Sequence, residues 1–282
     1  MWSIIGGSGF ETFDNFKTLK ELPRETPFGD TSIGFKKVEL GGIELLFMPR
    51  HGTDHDKLPT EVNYRANIYA LKKFGATKLL AFSAVGSLQN EYAPGDLVIP
   101  EQFIDRTKGI RKSTFCGEGI VGHVSLANPV THELVSTLKE LSSQFSFKSH
   151  FGKTLVVMEG PQFSTKAESH LYRSWNADII GMTSFPEFAL AREAGLAYMN
   201  CCFVTDYDCW KDDIPHVTVE QVIQVMRENN KKAFSVAEAM VHCDRIPVQE
   251  ANELGNGLKH ALMSHPEKMT AEQKQWVGVL TS

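Results

Sequence analysis

The segment 196–204 (LAYMNCCFV) constrains the fold most, because an apolar run of that length, ended by polar residues, reads as a buried β-strand. It runs into Thr205-Asp206-Tyr207-Asp208-Cys209. Two carboxylates at the end of a buried strand are costly, since an unpaired charge taken out of water either destabilises the fold or takes up a proton. They persist where something pairs with them, and at the carboxyl end of a parallel strand that partner is often a ligand. Their spacing puts both side chains on one face if the strand continues.

The rest of the chain is written in the same units. Short apolar runs at 3–5, 43–48, 78–83, 96–100, 154–158 and 178–182 join 197–204 as expected strands. They alternate with longer amphipathic stretches at 60–74, 131–144, 164–176, 186–194 and 219–242, which read as helices. Thr60 is placed to cap the first helix, Gly75 to stop it, and Pro186 suits a first helical turn. Helices between strands imply right-handed crossovers and an α/β fold. The expected architecture is a single domain whose central mixed, largely parallel, twisted sheet is flanked by helices. Residues 1–243 are expected to form this domain. The more polar 244–282 read as a C-terminal tail, either a helical lid of the same domain or a surface appendage. Thr270 and Gln273 make a capping box for a last helix ending near Val279.

The net charge of −5 argues against nucleic-acid binding, which needs a basic surface, but allows a small anion held by local donors. No apolar stretch approaches the roughly 18 residues of a membrane span. The opening Met1-Trp2-Ser3-Ile4-Ile5-Gly6-Gly7 lacks the basic and apolar regions of a secretory signal. Five cysteines, none in a C-x-x-C pair, fit a reducing, cytoplasmic setting, with Cys201 and Cys202 as buried small apolar residues.

Donor-rich turns follow the other strands. Gly6-Gly7-Ser8-Gly9 exposes backbone N–H groups and a hydroxyl, a combination suited to phosphate. It is not the dinucleotide fingerprint, whose third glycine is replaced by Thr12. Arg50-His51-Gly52 offers a guanidinium and an imidazole as donors to an oxyanion. His51 and His55 have the i, i+4 spacing of metal ligands, but Gly52-Thr53-Asp54 reads as a loop and no further ligand is evident, so no metal is expected. Ser83-Ala84-Val85-Gly86-Ser87 combines small residues with a hydroxyl, letting a ligand approach the backbone. In Gly160-Pro161-Gln162-Phe163-Ser164 the phenyl ring can stack on a base and Ser164 can cap the next helix. Met182-Thr183 adds a hydroxyl, and Glu187 suits either ribose hydroxyls or a helix N-terminus. Each motif alone also has a purely structural reading, but parallel strands bring such ends together. A protonated aspartate at 206 or 208 presents a donor and an acceptor side by side. That is the complement of the adenine edge, where N7 accepts and the 6-amino group donates.

These motifs, in this order, resemble the trimeric purine nucleoside phosphorylase superfamily, and most of all its 5′-methylthioadenosine phosphorylase branch. The likeness runs from about residue 2 to 243 through IIGGSGF, RHGTDH, PTEVNYRANIYALK, SAVGSL, PGDLVIPEQFIDRT, EGPQFSTKAE, IIGMTSFPE and TDYDCW. The resemblance implies an enzyme, a pentosyltransferase that turns methylthioadenosine and phosphate into adenine and 5-methylthioribose-1-phosphate. It implies no metal or organic cofactor, with inorganic phosphate as co-substrate. By matching position, Ser8, Arg50, His51, Ser83, Ala84 and Thr183 would bind phosphate. Phe163, Ser164, Asp206 and Asp208 would hold the base, and Met182 would lie under the ribose. His55 with Val219, Val222 and Ile223 would form the 5′ pocket, and His123 would reach a neighbouring subunit's site in a homotrimer. Gln162 stands where the family often has Arg, while Ser8 and Ser83 keep the hydroxyl of the more usual Thr.

In such a reaction the glycosidic C–N bond breaks through an oxocarbenium-like sugar, as in glycoside hydrolysis, so negative charge collects on the departing base. Asp206 is expected to relieve it by protonating N7, with a pKa raised by burial and by Asp208. An Asn there would suit 6-oxopurines, so Asp206 favours a 6-aminopurine. Three alternatives stay open: a 6-oxopurine nucleoside or methylthioinosine phosphorylase, a water-using nucleosidase, and a non-catalytic nucleoside-binding protein.

Overall fold

The apolar 196–204 run forms strand β11 (Ala197–Asp206), in which every residue from 197 to 205 is buried. It lies in a sheet with β1 (Trp2–Gly6), β6 (Ile43–Pro49) and β7 (Lys78–Ser87), the four running parallel in the order β6-β1-β7-β11. Gly6 sits opposite both Pro49 and Phe82, and Ser83 opposite Cys202, so the carboxyl ends of these strands share one rim. The computed structural model describes residues 1–13, 16–211, 219–243 and 257–282, with side chains in the helix that begins at 219 described from 224 onward.

Beyond β11 the sheet continues through β8 (Leu97–Arg106), β9 (Ser149–Met158) and β10 (Ile179–Gly181). The last of these pairs antiparallel with the far half of β7, Ile180 opposite Gly86, which closes β7-β11-β8-β9-β10 into a ring. Alternate residues of these strands fill it, among them Val85, Leu155, Val157, Ile179, Cys202 and Val204. On the other edge β5 (Lys36–Leu40) and β2 (Lys17–Glu21) add antiparallel strands, so the sheet is mixed, with parallel pairing through its middle. A separate hairpin joins β3 (Glu25–Thr26) to β4 (Gly29–Asp30). None of these four peripheral strands was expected. β2 exposes every residue and so carries no apolar face for a pattern to reveal.

Seven α-helices occur among the described residues: α1 (Tyr64–Lys73), α2 (His132–Leu141), α3 (Lys166–Ser174), α4 (Ser184–Glu193), α5 (Val219–His242), α6 (Gly257–Ala261) and α7 (Ala271–Leu280). α2 and α5 pack on each other and on β11, while α1, α4, α6 and α7 form a second contacting group whose α4 also reaches β11. Two caps differ from expectation. Asn63, not Thr60, caps α1 by accepting from the Ala66 N–H, although Gly75 does follow its end with φ +91°. α3 is capped by Thr165 in a capping box with Glu168, not by Ser164. The Thr270–Gln273 box is present, and α7 packs against α1. Leu258, Met269, Trp276, Val277 and Leu280 of the tail are part of the main hydrophobic core, with Trp276 edge-on to Phe28 at 5.4 Å.

Among the described residues no helix is long and apolar enough to cross a membrane. All five cysteines are free thiols, and Cys201 and Cys202 are fully buried.

Candidate active site

A cavity of about 370 Å³ opens at the shared rim, a size suited to a small-molecule site. Ser8 reaches it from the turn after β1, Arg50 and His51 from the end of β6, and Ser83 and Ala84 from β7. Met182 and Thr183 enter after β10, Asp206 and Asp208 from the end of β11, Phe163 from the loop before α3, and His55 from the turn beyond His51. Ser164 is not part of the lining: its hydroxyl donates to Met158 Sδ at 3.7 Å and its carbonyl accepts from the Cys209 thiol. His123 is exposed and also lies off this cavity. The side chains of Val219, Val222 and Ile223 fall outside the described residues. Met226, which continues their i, i+3, i+4, i+7 spacing, does line the cavity.

One end is rich in donors. Arg50 is fully buried, and its Nε and Nη2 donate to the two carboxylate oxygens of Glu187 at 2.7 and 2.9 Å. Nη1 donates to the Phe82 carbonyl at 3.1 Å, which leaves one N–H on each terminal nitrogen. Burial alone would lower the guanidinium pKa, but the Glu187 charge reverses this and holds Arg50 cationic. Glu187 is therefore the counter-ion of Arg50, not a ribose ligand, and it also accepts from Tyr198 Oη at 3.2 Å. Gly7 is required here because a Cβ would stand 2.6 Å from the Phe82 carbonyl oxygen and collide with Arg50 Nη1. Thr183 occupies the N-cap of α4 without a side-chain capping bond, so its hydroxyl is not used by the helix.

His51 is not the donor that was expected. Its Nδ1 donates to the Lys57 carbonyl at 2.8 Å. Burial, helped by the Arg50 charge, pushes its pKa down to about 4, so near neutral pH Nε2 carries a lone pair. Its ring stacks on His55, centroids 4.5 Å apart. Nδ1 of His55 donates to Glu11 at 2.6 Å. A stability signature follows. The unfolded imidazole titrates near its ordinary 6.5, and the folded one refuses the proton until about 4. The unfolded state thus binds more protons between these values, and stability falls as pH drops through that window. The full effect is about 3 kcal/mol. Chemical denaturation near neutrality and near pH 4.5 should show a steeper loss in the native protein than in His51→Gln; equal losses would mean that the ring is not held neutral.

The other end is acidic. Asp206 accepts from Thr205 Oγ1 at 2.7 Å and from the Asp208 N–H at 2.8 Å. Burial nevertheless dominates and raises its pKa. A bulge between Val204 and Asp206 turns this residue at the strand end. The strand stops at Asp206, and Asp208 has φ +50°. The two carboxylates therefore share the cavity through a tight turn and not through strand alternation. Burial, with a contribution from Asp206, also raises the pKa of Asp208. Gly86 lies opposite, where a Cβ would come 3.1 Å from Ile180 and 3.3 Å from Asp206 Oδ1.

Two supporting groups were not foreseen. Arg111, 7% exposed, pairs with Glu159 at 2.7 Å and donates to the carbonyls of Glu159, Met182 and Phe185. It ties the strand end that carries Met158 to the one that carries Met182 and Thr183. Asn200, fully buried in β11, bonds Ser83 at 3.2 Å and Ser184 at 2.8 Å. The sequence does mark Asn200, a lone amide in an apolar run, whereas nothing around Arg111 distinguishes it from a surface arginine.

Residues 3–242 match the model of a family described as the phosphorylase superfamily. The S-methyl-5′-thioadenosine phosphorylase of Geobacter sulfurreducens is 42% identical over 277 residues, covering 98% of this chain and 96% of that protein. Its namesake from Chloroflexus aurantiacus is 45% identical over 273 residues, covering 96% and 94%. Among solved structures, a methylthioadenosine phosphorylase from an antarctic soil metagenomic library superposes with a TM-score of 0.90 at 41% identity, over 99% of this chain and 98% of that one. A methylthioadenosine phosphorylase from Schistosoma mansoni in complex with adenine gives 0.84 at 35% identity, over 90% and 95%.

Proposed function

This chain belongs to the phosphorylase superfamily, and from that membership we propose that it cleaves 5′-methylthioadenosine with inorganic phosphate, releasing adenine and 5-methylthioribose-1-phosphate. The observation that carries the reading is that Asp206 lines the same cavity as Ser8, Arg50, Ser83 and Thr183. A proton donor at one end and a cluster of anion donors at the other are what the two ends of this reaction require.

Phosphate is held by the remaining N–H groups of Arg50, the hydroxyls of Ser8, Ser83 and Thr183, and the backbone at Ala84. The Arg50 charge is already balanced by Glu187, so the site relies on directed donors more than on net positive charge. With Nδ1 engaged, His51 Nε2 accepts from a protonated phosphate oxygen. As the C1′–N9 bond breaks, its electrons pass into the purine and Asp206 delivers a proton to N7. Phosphate oxygen then bonds to C1′ from the opposite side of the sugar. Asp208 receives the 6-amino group, Phe163 covers the base, Met182 lies under the ribose, and His55 with the α5 face carrying Met226 bounds the 5′ substituent. No metal or organic cofactor enters this scheme.

The proposal includes a homotrimer, in which His123 serves a neighbouring site. Its exposure, and that of Val121 beside it at 46%, support a subunit contact there. It also places the enzyme in the cytoplasm, in keeping with five free thiols. The test is release of free base from methylthioadenosine, adenosine and inosine, with and without phosphate. Strictly phosphate-dependent adenine release, fastest from methylthioadenosine, is expected. Release without phosphate would make the protein a nucleosidase, a preference for inosine would make it a 6-oxopurine enzyme, and no release would leave only binding.

A further inference from the structure

We infer that Asn200 is a positioning residue for the phosphate end of the cavity, deciding whether Ser83 presents a proton or a lone pair to the ligand. The inference rests on the phosphorolytic reading above and extends it to a residue that does not line the cavity.

A primary amide buried in the middle of an apolar strand is destabilising unless both its ends are bonded. Asn200 meets that condition through two hydroxyls only: Ser83 Oγ donates to its Oδ1 at 3.2 Å, and its Nδ2 donates to Ser184 Oγ at 2.8 Å. The partners belong to different phosphate-side segments. Ser83 lines the cavity from β7, and Ser184 opens α4 directly after Thr183. All three residues are buried, Ser83 at 4%, Ser184 at 1% and Asn200 at 0% exposure.

Proton counting gives the amide its role. A hydroxyl has one proton to donate and two lone pairs, whereas the amide has a donor end and an acceptor end. With Oδ1 toward Ser83, that hydroxyl donates to the amide and turns only a lone pair to the cavity. Rotating the amide by half a turn exchanges its ends without moving any heavy-atom partner. Nδ2 then donates to Ser83, Ser184 donates to Oδ1, and the Ser83 proton is released toward the cavity. Both arrangements keep every bond, so an arriving anion selects the second through the one donor it gains. A carboxylate at this position accepts from both serines and cannot make the exchange; a protonated carboxyl can.

The experiment compares the phosphate KM and the methylthioadenosine KM of the native enzyme, Asn200→Asp and Asn200→Leu, each across about pH 5.5 to pH 8. Phosphate-dependent turnover by the native enzyme is established first, so failure of the functional reading is seen separately. Losing one hydrogen bond to a charged ligand corresponds to a rise of roughly 10-fold or more in phosphate KM, expected for Asn200→Asp near neutrality, with methylthioadenosine KM changed less than about twofold. The ratio of variant to native phosphate KM should shrink as pH falls and the new carboxyl takes up a proton. Asn200→Leu adds no charge and tests the case where the aspartate variant fails to fold. It frees the Ser83 proton but removes the amide donor that turns it toward the cavity, and should raise phosphate KM by a smaller, constant factor at every pH. If Asn200→Leu leaves phosphate KM unchanged, or if either variant raises both KM values equally, the positioning role is overturned.

Discussion

Replacing Asp206 with asparagine is expected to lower kcat for adenine release by about 10²–10⁴-fold, the usual contribution of a positioned general acid. The substitution keeps the shape and can still accept the Asp208 N–H that now reaches Oδ1 at 2.8 Å. What disappears is the transferable proton: an amide N–H can donate a hydrogen bond to N7 but cannot deliver the proton that neutralises the departing purine. The pH profile should change as well. Burial raises the Asp206 pKa, so in the native enzyme activity falls as pH rises through that value and the acid is lost, and this limb is absent from the variant. The same amide suits a 6-oxopurine, donating to O6 and accepting from a protonated N7, so a gain of activity on inosine is expected. Steady-state rates on methylthioadenosine and inosine check both parts, and unchanged methylthioadenosine turnover removes the general-acid assignment.

Glu187→Ala is expected to destabilise the fold by about 3–5 kcal/mol, because it leaves a buried guanidinium without its counter-charge. Arg50 and Glu187 have 0% and 1% of their side-chain surface exposed, and two hydrogen bonds join them. Tyr198 Oη loses its acceptor in the same change. Thermal unfolding should show a fall in Tm on the order of 10 °C. The double variant Arg50→Met with Glu187→Leu should regain much of that stability, since replacing both partners by apolar groups removes the unpaired charge, yet it should bind phosphate poorly. A single variant as stable as the native protein would mean that the pair does not carry its charge in the folded state.

The elements that position the site were legible because their burial is complete. β11 and the other parallel strands are near-continuous apolar runs, and their ends are marked by glycine, serine or charge wherever the cavity begins. The peripheral strands β2 to β5 were not, since β2 has no buried face and β3 and β4 are only two residues each. The same contrast holds within the site. Ser8, Arg50, Ser83 and Asp206 could be placed at strand ends from their own neighbours in sequence. Their partners could not: Glu187 lies 137 residues from Arg50, and Asn200 lies 117 from Ser83. Such pairings are set by how the strands are ordered in the sheet. Local reading also misjudged the caps, choosing Ser164 over Thr165, because adjacent hydroxyls differ only in whether a glutamate follows at the third position.

β7 carries Ser83 beside the anion donors and, three residues on, Gly86 beside Asp206. A strand advances about 3.3 Å per residue, so one rigid span of about 10 Å separates the anion donors from the proton donor. Because that span is pinned by β11 on one side and by β1 and β10 on the other, it works as a fixed gauge that holds the phosphate donors and the acid at one separation. Changes of substrate preference in this protein must therefore come from swapping side chains that face the cavity, since a single-residue insertion in β7 would invert which face each of its residues presents.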